Sequence, residues 1–432
     1  MAESIHPTET RSTWLDRLGI PSTLAIGYAG LLLFMIGDGV ESGYLSAYLV
    51  DRGIDIQAVA FLFTVYGVTA SIAAWFSGAL SDLLGTRRVM FAGLLIWAIA
   101  QVGFLLAGIA PNRYPAMLAF YAARGFGYPL FAYGFLVWVT RVTPRERLSS
   151  AAGWFWFAFT GGLPTLGTVV AGVLMPRIGA YQTLWAALAI VLVGGVIALL
   201  GLVRTPLGGP SEHAREERPI TTLLTSVTLA FRVPRVGVAA IVRAINTASQ
   251  WGFLVFMPIF FTKKLGFEMS AWLNVLTVMF TSNIFCNLAF GLIGDRFGWR
   301  RTVATFGGVG TAIATLLMYY VPANAGPAHT QMVMIAAGLY GAMLAGYVPL
   351  TALTPWLAPD RRGAAMSVLN LGAGVSVWAG PAVVALFLIP LGEIGVIWIF
   401  AILHLISGAL AMTLTHKPTE AEQGQSTVPV EA

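Results

Sequence analysis

The stretch Gly78-Ala-Leu-Ser-Asp82-Leu-Leu-Gly85-Thr-Arg87-Arg88 returns as Gly291-Leu-Ile-Gly-Asp295-Arg-Phe-Gly298-Trp-Arg300-Arg301. Both glycines, the aspartate and both arginines recur at one offset, 213 residues, close to half of the 432-residue chain. A weaker echo, Pro144-Arg-Glu-Arg147 and Pro359-Asp-Arg-Arg362, recurs at 215. A repeat on this scale duplicates half of the chain.

The residues around the repeat are unusually apolar. Hydrophobic residues make up 57% of the chain and charged residues 10%, against roughly 45–50% and about 25% in soluble domains. So little charge could not cover a soluble surface, which excludes a cytosolic enzyme, a disordered chain and a nucleic-acid binder. Mean hydropathy of +0.78 and 48 glycines point to an all-α membrane protein, where glycine lets helices approach closely. Apolar runs fall near 24–50, 57–81, 88–109, 114–140, 149–174, 181–203, 236–262, 270–294, 302–321, 328–355, 363–390 and 393–415. Each is long enough for one span. The expected organisation is a tail 1–23, a six-helix bundle 24–203, a linker 204–235, a second six-helix bundle 236–415 and a tail 416–432. The linker holds SEHAREERP at 211–219 and TTLLTSVTLAF at 221–231, the latter expected as a short helix on the membrane surface. The first 22 residues are polar and lack the pattern of a cleaved signal. The single cysteine, Cys286, permits no intramolecular disulfide and reads as packing.

Lysine and arginine set the orientation. With both termini cytoplasmic, eighteen basic residues fall in inside segments and five in outside loops, with Arg124 and Arg243 inside spans. The net charge of +6 therefore reads as a topology signal.

The doubled G-x-x-x-D-x-x-G-x-R-R in a six-plus-six chain resembles the major facilitator superfamily over nearly the whole length. In the first copy Leu83 stands where that family commonly has a basic residue. Glycines suit a tight turn, and the aspartate can cap the next helix or pair with an arginine. The resemblance implies that Gly78, Asp82, Arg87, Arg88, Asp295, Arg300 and Arg301 belong to a latch that closes the cytoplasmic side in one state. A charged hairpin that merely keeps the loop inside is the alternative. The resemblance also implies two bundles around a central cavity and transport by alternating access.

Ionisable residues inside spans cost about 2.5–3.5 kcal/mol each on insertion scales, so the few present mark function. Asp38 and Glu41 lie three apart in FMIGDGVESGYLSAYL, on one helical face. Tyr44 continues that stripe. Arg124 heads an aromatic stripe of Tyr128, Phe131, Phe135 and Trp138. Arg243 shares a face with Asn246 and Gln250, while Asn274, Asn283 and Asn287 lie in the eighth span. Tyr340, Tyr347, Asn370 and Trp378 complete the set, and His404 reads as packing. Asn, Gln and Tyr both donate and accept, which suits a neutral polyhydroxylated solute. Span asparagines also serve as glue between helices. An Asp38 or Glu41 pair with Arg124 could be purely structural or a proton switch in which the arginine moves between carboxylate and substrate.

Four segments narrow the resemblance: Gly37-Asp38-Gly39-Val40-Glu41 with Tyr44-Leu45-Ser46, Arg124 through Phe131, Gly153-Trp154-Phe155-Trp156, and Phe63-Thr64-Val65-Tyr66-Gly67. Together they are similar to the bacterial polyol permeases, carriers of ribitol and D-arabinitol. That resemblance implies inward, proton-coupled transport of a pentitol or related sugar, with Asp38, Glu41 and Arg124 at the cavity. Gly161-Gly162-Leu163-Pro164-Thr165-Leu166-Gly167 loosely resembles a motif of drug/proton antiporters, so export of amphipathic compounds is the alternative. It serves equally as a hinge, as do Gly372, Gly374, Gly380 and Pro381. No P-loop pattern occurs, which argues against ATP-driven pumping. No cofactor, metal or nucleic-acid partner is expected. The expected partners are the solute, the proton and the lipid of a cytoplasmic (inner) membrane, and a monomer is expected to suffice.

Overall fold

The computed structural model describes residues 24–143, 148–202 and 228–415. The expected tails, most of the linker and Pro144–Arg147 lie outside the described residues. Of the expected surface helix at 221–231 only 228–231 are described, and they are helical.

Every regular element among the described residues is helical: α1 (Ala25–Gly39), α2 (Leu45–Asp51), α3 (Ile56–Leu84), α4 (Thr86–Gly103), α5 (Tyr114–Arg124), α6 (Gly127–Val142), α7 (Leu148–Thr160), α8 (Gly167–Ile178), α9 (Ala180–Gly201), α10 (Pro234–Ile259), α11 (Met269–Phe297), α12 (Trp299–Thr302), α13 (Thr311–Ala325), α14 (Thr330–Leu344), α15 (Pro349–Leu353) and α16 (Arg362–Met412). Helix satisfies every backbone donor and acceptor inside its own segment, which lipid demands.

Helix α4 shows how the sequence is sorted. Met90, Leu94, Trp97 and Gln101 are buried on one face, while Phe91, Leu95 and Ile99 are 46–59% exposed on another. Beyond the exposed Arg87 and Arg88 of the first turn, the outward residues are apolar and the polar Gln101 is buried. That is the reverse of a water-soluble helix and the low-energy choice in a bilayer. The chain is thus a multi-pass membrane protein.

Nine helical stretches among the described residues are long and apolar enough to cross a membrane. The difference from the twelve expected runs falls at three places. The first run is interrupted between Gly39 and Leu45, and the fourth between Arg124 and Gly127. The last two runs join in α16, which is broken only at Gly392, φ 66°.

The chain divides into two compact units, Met1–Ser42 with Phe76–Glu216, and Gly43–Trp75 with Glu217–Ala432. In the first, α1 packs against α9 and against the π-helical turn Gly161–Leu166, and α4 packs against α6. A Cβ placed on Gly39 would lie 1.7 Å from the Leu163 carbonyl oxygen, so only glycine lets α1 pass there. In the second unit α10 runs along α16 and α11 along α14. Residues 43–75 are tied into this unit by hydrogen bonds from Ser46 Oγ to Leu254 O (3.1 Å), Trp272 Nε1 to Gly43 O (2.8 Å) and Ser71 Oγ to Gly374 O (2.5 Å).

The repeated loop adopts the same conformation twice. Gly85 has φ 88° and ψ 138°, and Gly298 has φ 91° and ψ 129°. Each ends one long helix and begins the next. Nothing crowds a Cβ at Gly298, so Gly298→Ala tests the backbone alone. Left-handed backbone costs an L-residue roughly 1–2 kcal/mol. A fall in thermal stability of that size is expected in detergent, and an unchanged Tm would refute the turn's requirement for glycine.

Candidate functional site

The first helix stops at Gly39 and restarts at Leu45. Asp38 sits in its last turn and Glu41 in the break, both nearly inaccessible at 3% and 5% exposure. A second break faces the same cluster. Arg124 closes α5, and α6 begins at Gly127 with Pro129 in its first turn, where a missing N–H costs nothing. The sequence therefore places its first-unit charges where two apolar helices are opened by Gly and Pro.

Those charges meet. Arg124 forks onto Glu41, with Nη1 donating to Oε2 at 2.6 Å and Nη2 donating to Oε1. Tyr121 OH donates to Glu41 Oε1 at 2.8 Å. Arg124 Nη1 also donates to Gln101 Oε1 at 2.5 Å, and Gln101 Nε2 reaches the Leu184 carbonyl at 3.4 Å. The guanidinium lies 4.6 Å from the centre of the Tyr121 ring and 5.1 Å from that of Trp97, within range of cation–π attraction. A bidentate pair with added donors is the arrangement that makes burial of two charges tolerable.

Asp38 is held differently. Its Oδ1 accepts a 2.6 Å hydrogen bond from Trp97 Nε1. Glu41 thus accepts from a guanidinium and a phenol, whereas Asp38 accepts from an indole. Trp97→Phe keeps the ring and deletes that donor. Hydrogen bonds to charged groups contribute about 1.5–3 kcal/mol, so the variant is expected to lose stability of that size by thermal unfolding in detergent. An unchanged Tm would show that the indole only fills space.

The aromatic stripe packs around this cluster. Phe131 stacks on Phe34 at 4.0 Å, Phe34 meets Trp97 edge-on at 6.3 Å, and Tyr128 lies 6.2 Å from Phe159. Tyr128 and Phe131 are both buried.

The second unit holds the remaining candidates. Arg243 Nη1 donates to Asn246 Oδ1 one turn along α10, and Asn246 Nδ2 reaches Leu344 O at 3.4 Å. Gln250 and Trp378 are half-buried. Asn283 Nδ2 donates to Gly341 O at 3.0 Å, joining α11 to α14, and Asn287 Nδ2 contacts Asn283 Oδ1 at 3.5 Å. Asn274 and Asn370 are exposed, while Tyr44, which belongs to this unit, is buried. His404 does more than fill space. Its Nε2 is 2.8 Å from Ser249 Oγ and its Nδ1 2.9 Å from Tyr347 OH, while Ser249 Oγ lies 2.6 Å from Tyr340 OH. Tyr347 also bonds Ser407. This network is buried throughout and joins α10, α14 and α16.

In the repeated loop the side chain of Asp82 lies outside the described residues. Asp295 does not cap the next helix and, among the described residues, pairs with no arginine: its Oδ1 accepts from Trp299 Nε1 at 2.9 Å. The sequence reading passed over Trp97, Gln101 and Tyr121. Trp97 and Gln101 lie four apart on one face of an otherwise apolar helix, and Tyr121 lies one turn before Arg124. That spacing was the available signal.

A model of the Major Facilitator Superfamily matches residues 27–280 and 239–430. The alpha-ketoglutarate permease of Bacillus subtilis (strain 168) is 45% identical over 95% of this chain and 93% of its own. The D-arabinitol transporter of Klebsiella pneumoniae is 38% identical over 90% of this chain and 92% of its own. A crystal structure of a peptide transporter superposes with a TM-score of 0.70 at 16% identity, covering 91% of this chain and 93% of that one. At that identity the superposition speaks for the fold alone.

Proposed function

Because the chain belongs to the Major Facilitator Superfamily and is similar to a polyol transporter over nine-tenths of its length, we propose that it takes up a linear polyol, a pentitol or related sugar, by alternating access coupled to protons. Twelve spans in two six-helix bundles joined by the 204–235 linker, both termini cytoplasmic and an inner-membrane location complete this reading. A single chain suffices for it.

The observation that carries the choice of solute is the Glu41–Arg124 ion pair. An anion carrier needs cations whose charge is not already matched, and Arg124 is matched by Glu41. A neutral polyol needs instead groups that donate and accept together, such as the phenol of Tyr128 in the first unit and, within the second, the amide of the half-buried Gln250. Asp38 is the proposed proton carrier. Its carboxylate is buried and accepts from the Trp97 indole rather than from the Arg124 guanidinium. The relatives do not favour drug export.

The similarity to an alpha-ketoglutarate permease sustains a second reading, a dicarboxylate solute bound through Arg243. The two separate in one experiment. Proteoliposomes with an imposed inward proton gradient should accumulate labelled D-arabinitol or ribitol, and accumulation should collapse when a protonophore is added. Saturable uptake of 2-oxoglutarate with no competition from millimolar pentitols would replace the polyol by the dicarboxylate. Pentitol uptake indifferent to the protonophore would remove the proton.

A further inference from the structure

The repeated loop differs between its copies at one informative position. Thr86, fully buried, occupies the place that Trp299 holds in the second copy. Trp299 donates its indole N–H to Asp295 Oδ1 at 2.9 Å. Arg300 is half-buried and Arg301 exposed, and among the described residues neither has an ion-pair or hydrogen-bond partner for its guanidinium.

Both arginines line a hollow of about 410 Å³, whose walls are Phe297, Trp299, Leu353 and Leu414. Thr415 completes the rim, and its carbonyl accepts from Arg235 Nη1 at 2.8 Å, bringing a third guanidinium to the edge. The walls are apolar while the charge is cationic. Along α11, Leu288 and Leu292, one turn apart, are 75% and 74% exposed, an apolar strip followed on the same face by the exposed Asp295 and Arg296, while Phe297, 61% exposed, lines the hollow from another side of the helix. A soluble anion uses the arginines and leaves the apolar walls and strip wet. An acyl-chain anion uses both.

We propose that this hollow binds the phosphodiester headgroup of an anionic phospholipid, with Arg300 and Arg301 on the phosphate and an acyl chain along the exposed strip of α11. Basic pockets among spanning helices are suited to such headgroups, and each arginine near the membrane surface contributes about fivefold in affinity. The lipid thereby becomes a structural ligand of the second copy of the loop.

The test uses the purified full-length protein, stripped of lipid in mild detergent and titrated with dioleoylphosphatidylglycerol, with dioleoylphosphatidylcholine and with glycerol 3-phosphate, bound species being counted by native mass spectrometry. Saturable binding of one phosphatidylglycerol is expected, weakened about fivefold by Arg301→Gln and about twenty-fivefold by R300Q/R301Q. Phosphatidylcholine binding should be unaffected by either of them. Phosphatidylglycerol binding that survives R300Q/R301Q unchanged overturns the proposal. So does displacement by glycerol 3-phosphate at equal concentration, which would make the hollow a site for soluble phosphates. If the double variant does not fold, Arg301→Gln, at an exposed position, decides alone.

Discussion

Arg124→Ala is expected to abolish uptake and to lower stability by about 3–5 kcal/mol. The loss is large because of what remains behind. Glu41 keeps only Tyr121 as a donor, and a buried carboxylate stripped of its cation carries the full desolvation penalty. Gln101 also loses a partner. The double variant E41A/R124A separates structure from transport. Removing both charges removes the uncompensated one, so most of the stability should return, while uptake stays lost if the pair serves transport. The measurements are thermal unfolding in detergent and uptake in proteoliposomes. Recovery of both stability and uptake in the double variant would reduce the pair to a helix staple. A single variant as stable as the parent would show that water or another group already compensates Glu41.

Gly39→Ala is expected to be nearly as damaging, although it adds one methyl group. Ordinary overpacking costs roughly 1–3 kcal/mol because side chains can shift. Here the obstacle is backbone: the new carbon would sit 1.7 Å from Leu163 O. Gly167 approaches the same point from the other side, a Cβ there lying 2.5 Å from the Gly39 carbonyl carbon. The helix must move away, carrying Asp38 and Glu41 with it. Uptake is expected to fall at least a hundredfold and Tm to drop clearly. Gly153→Ala, where a Cβ meets nothing within 4 Å, is the matched control, expected to be neutral or slightly stabilising. Equal behaviour of the two variants would refute the close approach.

The candidate cluster was partly legible from residue types. Charges are so costly in lipid that Asp38, Glu41 and Arg124 stand out in apolar runs without any structure. Their partners do not stand out. Trp97, Gln101 and Tyr121 are unremarkable in spans, because an aromatic or an amide is also what helix packing uses. The same ambiguity affected the asparagines. Asn283 bonds the Gly341 carbonyl across to α14, while Asn274 is exposed, and nothing in their spacing separates the two. His404 looked like filler beside them, yet it links Ser249 to Tyr347.

By itself, the sequence determined the membrane-spanning helical class, the repeated loop and the positions of the costly charges. Each of these follows from a property summed over many residues or from a rare residue in the wrong solvent. The pairing was decided only in the tertiary structure. Periodicity places Asp38 and Glu41 on one face but cannot say that Arg124 takes Glu41 and leaves Asp38 to Trp97. Nor could the motif say that Asp295 would accept from the Trp299 indole. Hydrogen bonds of 2.5–3.0 Å are set by how two helices rotate and slide against each other. That is governed by contacts such as Gly39 on Leu163, 124 residues apart in the chain.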